Sequence, residues 1–216
     1  MKKISIFGAG GFGREVKLLI EQINEAEKEW EFIGFWDDDK NLPDTINEAS
    51  LLGGMSELNE YNEGELYLVC AVGEPSIKEK IINSIKNPLI KFPVLIHPTA
   101  ISGNEKFVTI GEGTIIAAGV IITVNIEIGK HVILNLMCTV GHDTKIGDFS
   151  SFMPSVNISG EVDIENNVYA GTGSKIINQL KIGKNTTVGA GAVVAKSLPD
   201  NCVAVGIPAK PIKFKE

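Results

Sequence analysis

The chain has 216 residues, 44% of them hydrophobic, and a formal net charge of −7, so it carries apolar content for one large domain or two modest ones. An acidic balance with no block of Lys or Arg argues against nucleic acid or an anionic membrane surface as the main partner. The three cysteines, Cys70, Cys138 and Cys202, stand far apart with no CxxC, which indicates neither a zinc knuckle nor a disulfide framework and predicts reduced thiols in a soluble, cytoplasmic protein.

In chain order, the start MKKISIFGAGGFG carries too short an apolar run for a signal peptide, and KISIF within it reads as a buried strand. GAGGFG is a tight turn, and REVKLLIEQI an amphipathic helix with Val16, Leu19, Ile20 and Ile23 on one face. EFIGFW is the second strand, running into Asp37, Asp38 and Asp39. LYLVCAV is the third, ending at Gly73. A helix follows from about Ser76 to Lys86, and KFPVLI closes the set. Strands alternating with helices predict a small Rossmann-like parallel βαβ domain over residues 1–96.

Gly8, Gly10 and Gly13 match G-x-G-x-x-G between a strand and a helix, with acids at the end of the next strand. Such glycines let backbone amides and a helix amino terminus approach a phosphate or polar ligand, or they serve only a tight turn and close helix packing. The region is about half of the two-part fold that holds a dinucleotide, which favours a ligand with a single nucleotide over NAD.

Beyond it the chain repeats. Every sixth residue from Ile110 to Val194 is apolar, and the position four further on (Thr114, Val120, Ile126 and onward to Ala192) is restricted too. No helix period produces this; a short uninterrupted period signals a solenoid whose strands each bury an inward residue against the coils above and below. Three hexads make a coil of 18 residues, so the run predicts about 4.7 coils and a stack roughly 20 Å tall, with branched aliphatics on the axis and glycines at the corners. The longest apolar tract, 115–124, is too short to span a bilayer.

One stretch, VGHDTKIGDF, places His142 at or near a corner, two residues after the inward Val140. The same slot holds Val124 one coil earlier and Gly160 one coil later, so the repeat itself does not demand histidine. His142 either bonds backbone at a corner or does chemistry. Cys138 falls on an inward position and reads as packing.

GAGGFGREV, FWDD, VGHDTKIGDF within hexapeptide repeats and VGIPAKPIK, in that order, resemble the hexapeptide-repeat sugar acyltransferases of the sialic acid O-acetyltransferase and bacillosamine-pathway nucleotide-amino-sugar N-acetyltransferase type. The resemblance covers essentially the whole chain. It implies a left-handed parallel β-helix over 97–216, a hand opposite to the general crossover rule, and a homotrimer with active sites between neighbouring subunits. It implies acetyl-CoA as co-substrate, no metal, and direct N-acetylation of a UDP-, dTDP- or GDP-linked 4-amino sugar presented by the first domain, for surface polysaccharide or glycan synthesis.

Carried over by position, His142 is the general base and Asp143 raises its basicity. Gly10, Gly11 and Phe12 line the nucleotide-sugar site, Asp37 and Asp38 bond the base or ribose, Gly73 borders the pocket and Asn135 reaches the sugar near His142. Ser151, Gly160, Thr172 and Ala190 border acetyl-CoA. Phe12 and Ser151 stand where some relatives have histidine. Lys196, Lys210 and Lys213 either meet CoA phosphates or are merely solvated. His97 and His131 are expected to be structural or solvated; with His142 they are the only three histidines, without the close-spaced pair that zinc-binding β-helix proteins use. The alternatives are sugar O-acetylation with the same base, and a catalytically silent nucleotide-sensing module.

Overall fold

The computed structural model describes residues 1–215. Its contacts divide them into two units, one of Met1–Gly73 with Ile77–Pro93, the other of Glu74–Ser76 with the chain from Val94 onward.

The first unit is built on β1 (Lys2–Phe7), α1 (Gly11–Ala26), β2 (Trp30–Trp36), β3 (Thr45–Ile46), β4 (Ala49–Gly53), α2 (Met55–Glu60), β5 (Leu66–Cys70), α3 (Pro75–Ser84) and β6 (Ile90–Lys91). The sheet order is β3-β4-β2-β1-β5-β6, parallel except for the β3–β4 hairpin. Ile4, Ile6, Val16 and Ile20 are buried between sheet and α1, whose apolar face is the predicted one except that Ile23 is only half-buried. α1 starts three residues earlier than the periodicity suggests, because Gly11 to Gly13 already belong to its first turn.

One further prediction is corrected, and one element was not foreseen. KFPVLI is not one strand: Ile90–Lys91 joins β5, whereas Leu95–Ile96 pairs with Ile115–Ile116 and opens the solenoid. Pro93 lies between them, where a missing N–H and a restricted preceding residue break a ladder. The hairpin 45–53 went unpredicted because its strands are short and its turn uses Asn47 and Glu48, at φ 45° and 64°, in place of glycine.

The second unit is a parallel β-solenoid of mostly two-residue strands. Strands pair in register every 18 residues, as Ile115, Ile133, Ser151, Tyr169 and Thr187 do. The three faces carry seven, six and five parallel strands, the first closed by antiparallel Lys210–Phe214. Seven levels at about 4.8 Å spacing make a stack of about 29 Å, taller than predicted because a strand is added at each end of the regular hexads, Leu95–Ile96 before them and Cys202–Val205 after. The inward residues from Ile116 to Val194 are at most 4% exposed, and the second inward column is as deeply buried except at Leu180.

The corners are not built as expected. The left-handed residue recurs every six positions, but it stands three residues after the inward one, and it is more often not glycine: Asn125, His131, Met137, Asp143, Phe149, Ser155, Glu161, Asn167, Gln179 and Asn185 all have φ between 53° and 61°. Each costs on the order of 1 kcal/mol, which the stacked ladder outweighs. The recurrent glycines directly after the inward residue do something else. At Gly141 a Cβ would lie 2.6 Å from the Gly160 nitrogen, so these glycines let successive coils approach.

Hydroxyls in the second inward column donate to carbonyls of the following coil, Thr114 to Gly129 at 3.0 Å and Ser150 to Glu165 at 3.2 Å. Ser174 is different: its Oγ is buried, and no hydrogen-bond partner lies among the described residues. A buried unpaired hydroxyl costs about 1 kcal/mol or more. Ser174→Ala is therefore expected to raise the thermal midpoint by about 2–4 °C, measured at fixed protein concentration; a lowered midpoint would show that the hydroxyl is paired in solution.

Candidate functional site

Two clusters of the expected residues form. In the first unit, Phe7, Trp36 and Cys70 sit side by side at the carboxyl ends of β1, β2 and β5. The turn Gly8–Phe12, the acids Asp37 and Asp38, and Ala71–Gly73 therefore emerge at one edge of the sheet, where parallel α/β sheets bind ligands. Gly8, at φ 103°, abuts the Ala71 carbonyl, and a Cβ on Gly13 would lie 1.9 Å from the Gly8 oxygen, so both glycines are required by packing. Gly10 and Gly11 are exposed and free of such contact.

The carboxylates already hold the edge together. Asp37 Oδ2 accepts from the Ala9 N–H at 2.8 Å and its Oδ1 from Asp39 N–H at 3.0 Å, while Asp38 Oδ1 accepts from Met55 N–H at 2.7 Å. A carboxylate has about four acceptor positions, so each keeps capacity for a base or ribose. A cavity of about 370 Å³, bordered by both acids, Leu51 and Gly53, lies beside them.

The second cluster is one corner of the solenoid, three coils deep. His142 Nδ1 lies 2.8 Å from Asp143 Oδ2, and Asp143 Oδ1 accepts from Asn125 Nδ2 at 2.9 Å. The Asn125 amide, and after it the His142 ring, hold the Asp143 carboxyl below the usual carboxylate range. An ionised carboxylate only accepts, so Nδ1 carries the hydrogen and Nε2 presents its lone pair. That ring lies on Gly160, where a Cβ would come within 2.5 Å of Cε1 and Nε2. The side chain of His142 is 57% exposed. The arrangement is an oriented, solvent-reachable imidazole able to take a proton from a ligand.

The other expected residues fall elsewhere. Asn135 is buried at the adjacent corner, its Oδ1 accepting from Leu136 N–H at 2.7 Å. Thr172 and Ala190 are exposed and stack one coil apart, also at that adjacent corner. Gly160 belongs to the His142 corner, so the residues expected around acetyl-CoA divide between two corners of one chain. Ser151 is wholly buried, in register between Ile133 and Tyr169. A hydroxyl with no accessible surface does not border a ligand, and Ser151 drops out of the site.

Lys196, Lys210 and Lys213 are exposed. His97 Nδ1 lies 3.0 Å from the Thr99 N–H, and His131 stacks on Phe149 at 5.3 Å, so both are structural. Cys138 is inward, its Sγ 3.2 Å from the Met153 carbonyl oxygen, and burial pushes its thiol up to about 11. That is no nucleophile. Among the described residues no three His, Cys, Asp or Glu are grouped to hold a metal, and no helix is long and apolar enough to cross a membrane. The sequence reading missed Asn125. Its signal was its place 18 residues before Asp143.

Residues 3–85 match the PglD N-terminal domain, and 161–196 match the bacterial transferase hexapeptide repeat. The chain is 31% identical to a GDP-perosamine N-acetyltransferase of Escherichia coli O157:H7, over 88% of this chain and 85% of the other. The structure of PerB from Caulobacter crescentus in complex with CoA and GDP-perosamine superposes with a TM-score of 0.86 at 28% identity, covering 99% and 98% of the two chains. The acetyltransferase domain of PglB from Neisseria gonorrhoeae FA1090, in complex with acetyl coenzyme A, does so with 0.83 at 29% identity, covering 98% and 99%.

Proposed function

We propose, for a chain that belongs to the hexapeptide-repeat sugar acyltransferase family and is an acetyl-CoA-dependent N-acetyltransferase, that its acceptor is the amine of a nucleotide-linked 4-amino sugar and that His142 is the general base. The observation that carries this is the oriented imidazole of His142, with Nδ1 tied to Asp143 at 2.8 Å and Nε2 open. The GDP-perosamine relatives support the substrate class.

The acceptor amine is largely protonated near neutral pH and must lose a proton to attack. With the amine within hydrogen-bond reach of Nε2, His142 takes one proton from the ammonium and so frees the nitrogen lone pair; the C–N bond then forms at the thioester carbonyl, a second N–H proton passes from the adduct to the sulfur as the C–S bond breaks, CoA leaves as the thiol, and the imidazolium returns its proton to solvent. Asp143 holds the tautomer and faces the imidazolium that results. Transfer is direct, since the thiol of Cys138, four residues before His142 in sequence, is buried and protonated.

At the sheet edge of the first unit, Gly10, Gly11 and Phe12 line the nucleotide diphosphate, Asp37 and Asp38 bond base or ribose with their remaining lone pairs, and Gly73 borders the pocket. Thr172 and Ala190, small and exposed, leave room for the pantetheine arm. Because they and Asn135 occupy a different corner from His142 and Gly160, the complete site requires neighbouring copies, as a homotrimer supplies.

The test is release of CoA thiol from acetyl-CoA by purified protein offered GDP-, UDP- and dTDP-linked 4-amino sugars. Thiol release matched by loss of free amine with one of them is expected. Turnover only with sugar hydroxyls would replace this reading with O-acetylation, and nucleotide binding without any turnover would replace it with a sensing module.

A further inference from the structure

We infer that Asn125 is a positioning residue for the proton transfer, acting through Asp143 from the preceding coil; the inference rests on the reading of His142 as base. Asn125 and Asp143 occupy successive left-handed corners, at φ 56° and 57°. The strands before those corners pair in register, Ile121 with Thr139 and Ile122 with Val140, so the two Cα positions stack and a short amide spans the gap.

The two oxygens of Asp143 are thereby divided. Oδ1 accepts from Asn125 Nδ2 at 2.9 Å, which leaves Oδ2 facing His142 Nδ1 at 2.8 Å. Asp143 is half-exposed, and a carboxylate held only by the imidazole could rotate about χ2 and trade that bond for water. The amide removes that freedom. It is also the leading influence holding the Asp143 carboxyl low.

The next corner down the column shows the same device on another acid. Glu161, the carboxylate of the coil after Asp143, accepts at Oε2 from Gln179 Nε2 at 3.2 Å. The four corners read amide, acid, acid, amide. Each acid is bonded toward its own amide, so the second negative charge is drawn along the stack, away from the first.

A purely structural role must be separated from this one. Glycine tolerates the left-handed corner without strain, and aspartate tolerates it better than most residues, so neither Asn125→Gly nor Asn125→Asp burdens the backbone. The experiment is steady-state kinetics with acetyl-CoA and a GDP-linked 4-amino sugar on the wild type, both variants, Asp143→Gly, the double variant Asn125→Gly with Asp143→Gly, and His142→Ala. We expect Asn125→Gly to lower kcat about tenfold with the KM for acetyl-CoA unchanged, and Asn125→Asp to lose at least as much. In the Asp143→Gly background Asn125→Gly should cost nothing further, because the group it acts through is gone.

Wild-type kcat in Asn125→Gly, or losses that multiply in the double variant, would overturn the inference while an inactive His142→Ala left the base reading standing. An active His142→Ala would overturn both.

Discussion

Replacing His142 with alanine is expected to lower kcat by about 10²–10⁴-fold, the range a positioned general base contributes, with the fold unchanged. The imidazole is 57% exposed and makes one side-chain hydrogen bond, to a residue itself half-exposed, so its removal takes little from the solenoid. His142→Asn, which keeps a polar group of similar reach but cannot take a proton near neutral pH, should lose as much. Both variants are to be assayed by CoA thiol release, with the circular dichroism spectrum and thermal midpoint alongside. A folded variant that turned over within about tenfold of wild type would end the case for His142, and the proton would then leave to solvent or to another group.

The second large effect is expected at Gly160. A Cβ there would lie 2.5 Å from both Cε1 and Nε2 of His142, against an ordinary contact of about 3.5 Å. What must give is the end of a side chain, not backbone, so the coil can keep its path while the ring shifts by about 1 Å. Misplacement of that size at a reacting group costs up to about 10²-fold. Gly160→Ala should therefore lower kcat by about 10- to 100-fold at nearly unchanged thermal midpoint.

Gly141→Ala is the contrast. There the added Cβ would meet the Gly160 nitrogen at 2.6 Å, and backbone cannot step aside cheaply, so stability rather than kcat should fall. If Gly160→Ala instead raised the KM for acetyl-CoA with kcat intact, Gly160 would be a donor contact and not the seat of the base.

Much of the molecule was legible beforehand, and the misses share a cause. The inward columns were readable because a two-residue strand decides the fate of each side chain locally: one points to the axis, its neighbour points out, and the six-residue period repeats that choice without reference to distant chain. The first coil was not readable, since Ile96 pairs with Ile116 and Ser102 with Ile122 across 20 residues instead of the regular 18, and Ser102 puts a polar residue in the inward register. The glycines were seen, but their purpose was misassigned. A glycine at a corner and a glycine under a neighbouring coil look alike in one dimension, and only the position of the next coil, 2.6 Å away at Gly141, tells them apart.

The site divides the same way. The sequence by itself determined that this is a parallel βαβ unit followed by a hexad solenoid, that Cys138 packs inward, and that a histidine stands where the repeat needs none, because all three follow from period and composition along the chain. Tertiary structure alone decided that Asn125 grips Asp143, that Gly160 lies under the imidazole, that Ser151 has no surface to offer a ligand, and that Asn135 sits a corner away from His142. Those are contacts between side chains of different coils and faces. Their distances depend on rotamers and on how closely coils stack, quantities that no periodicity encodes.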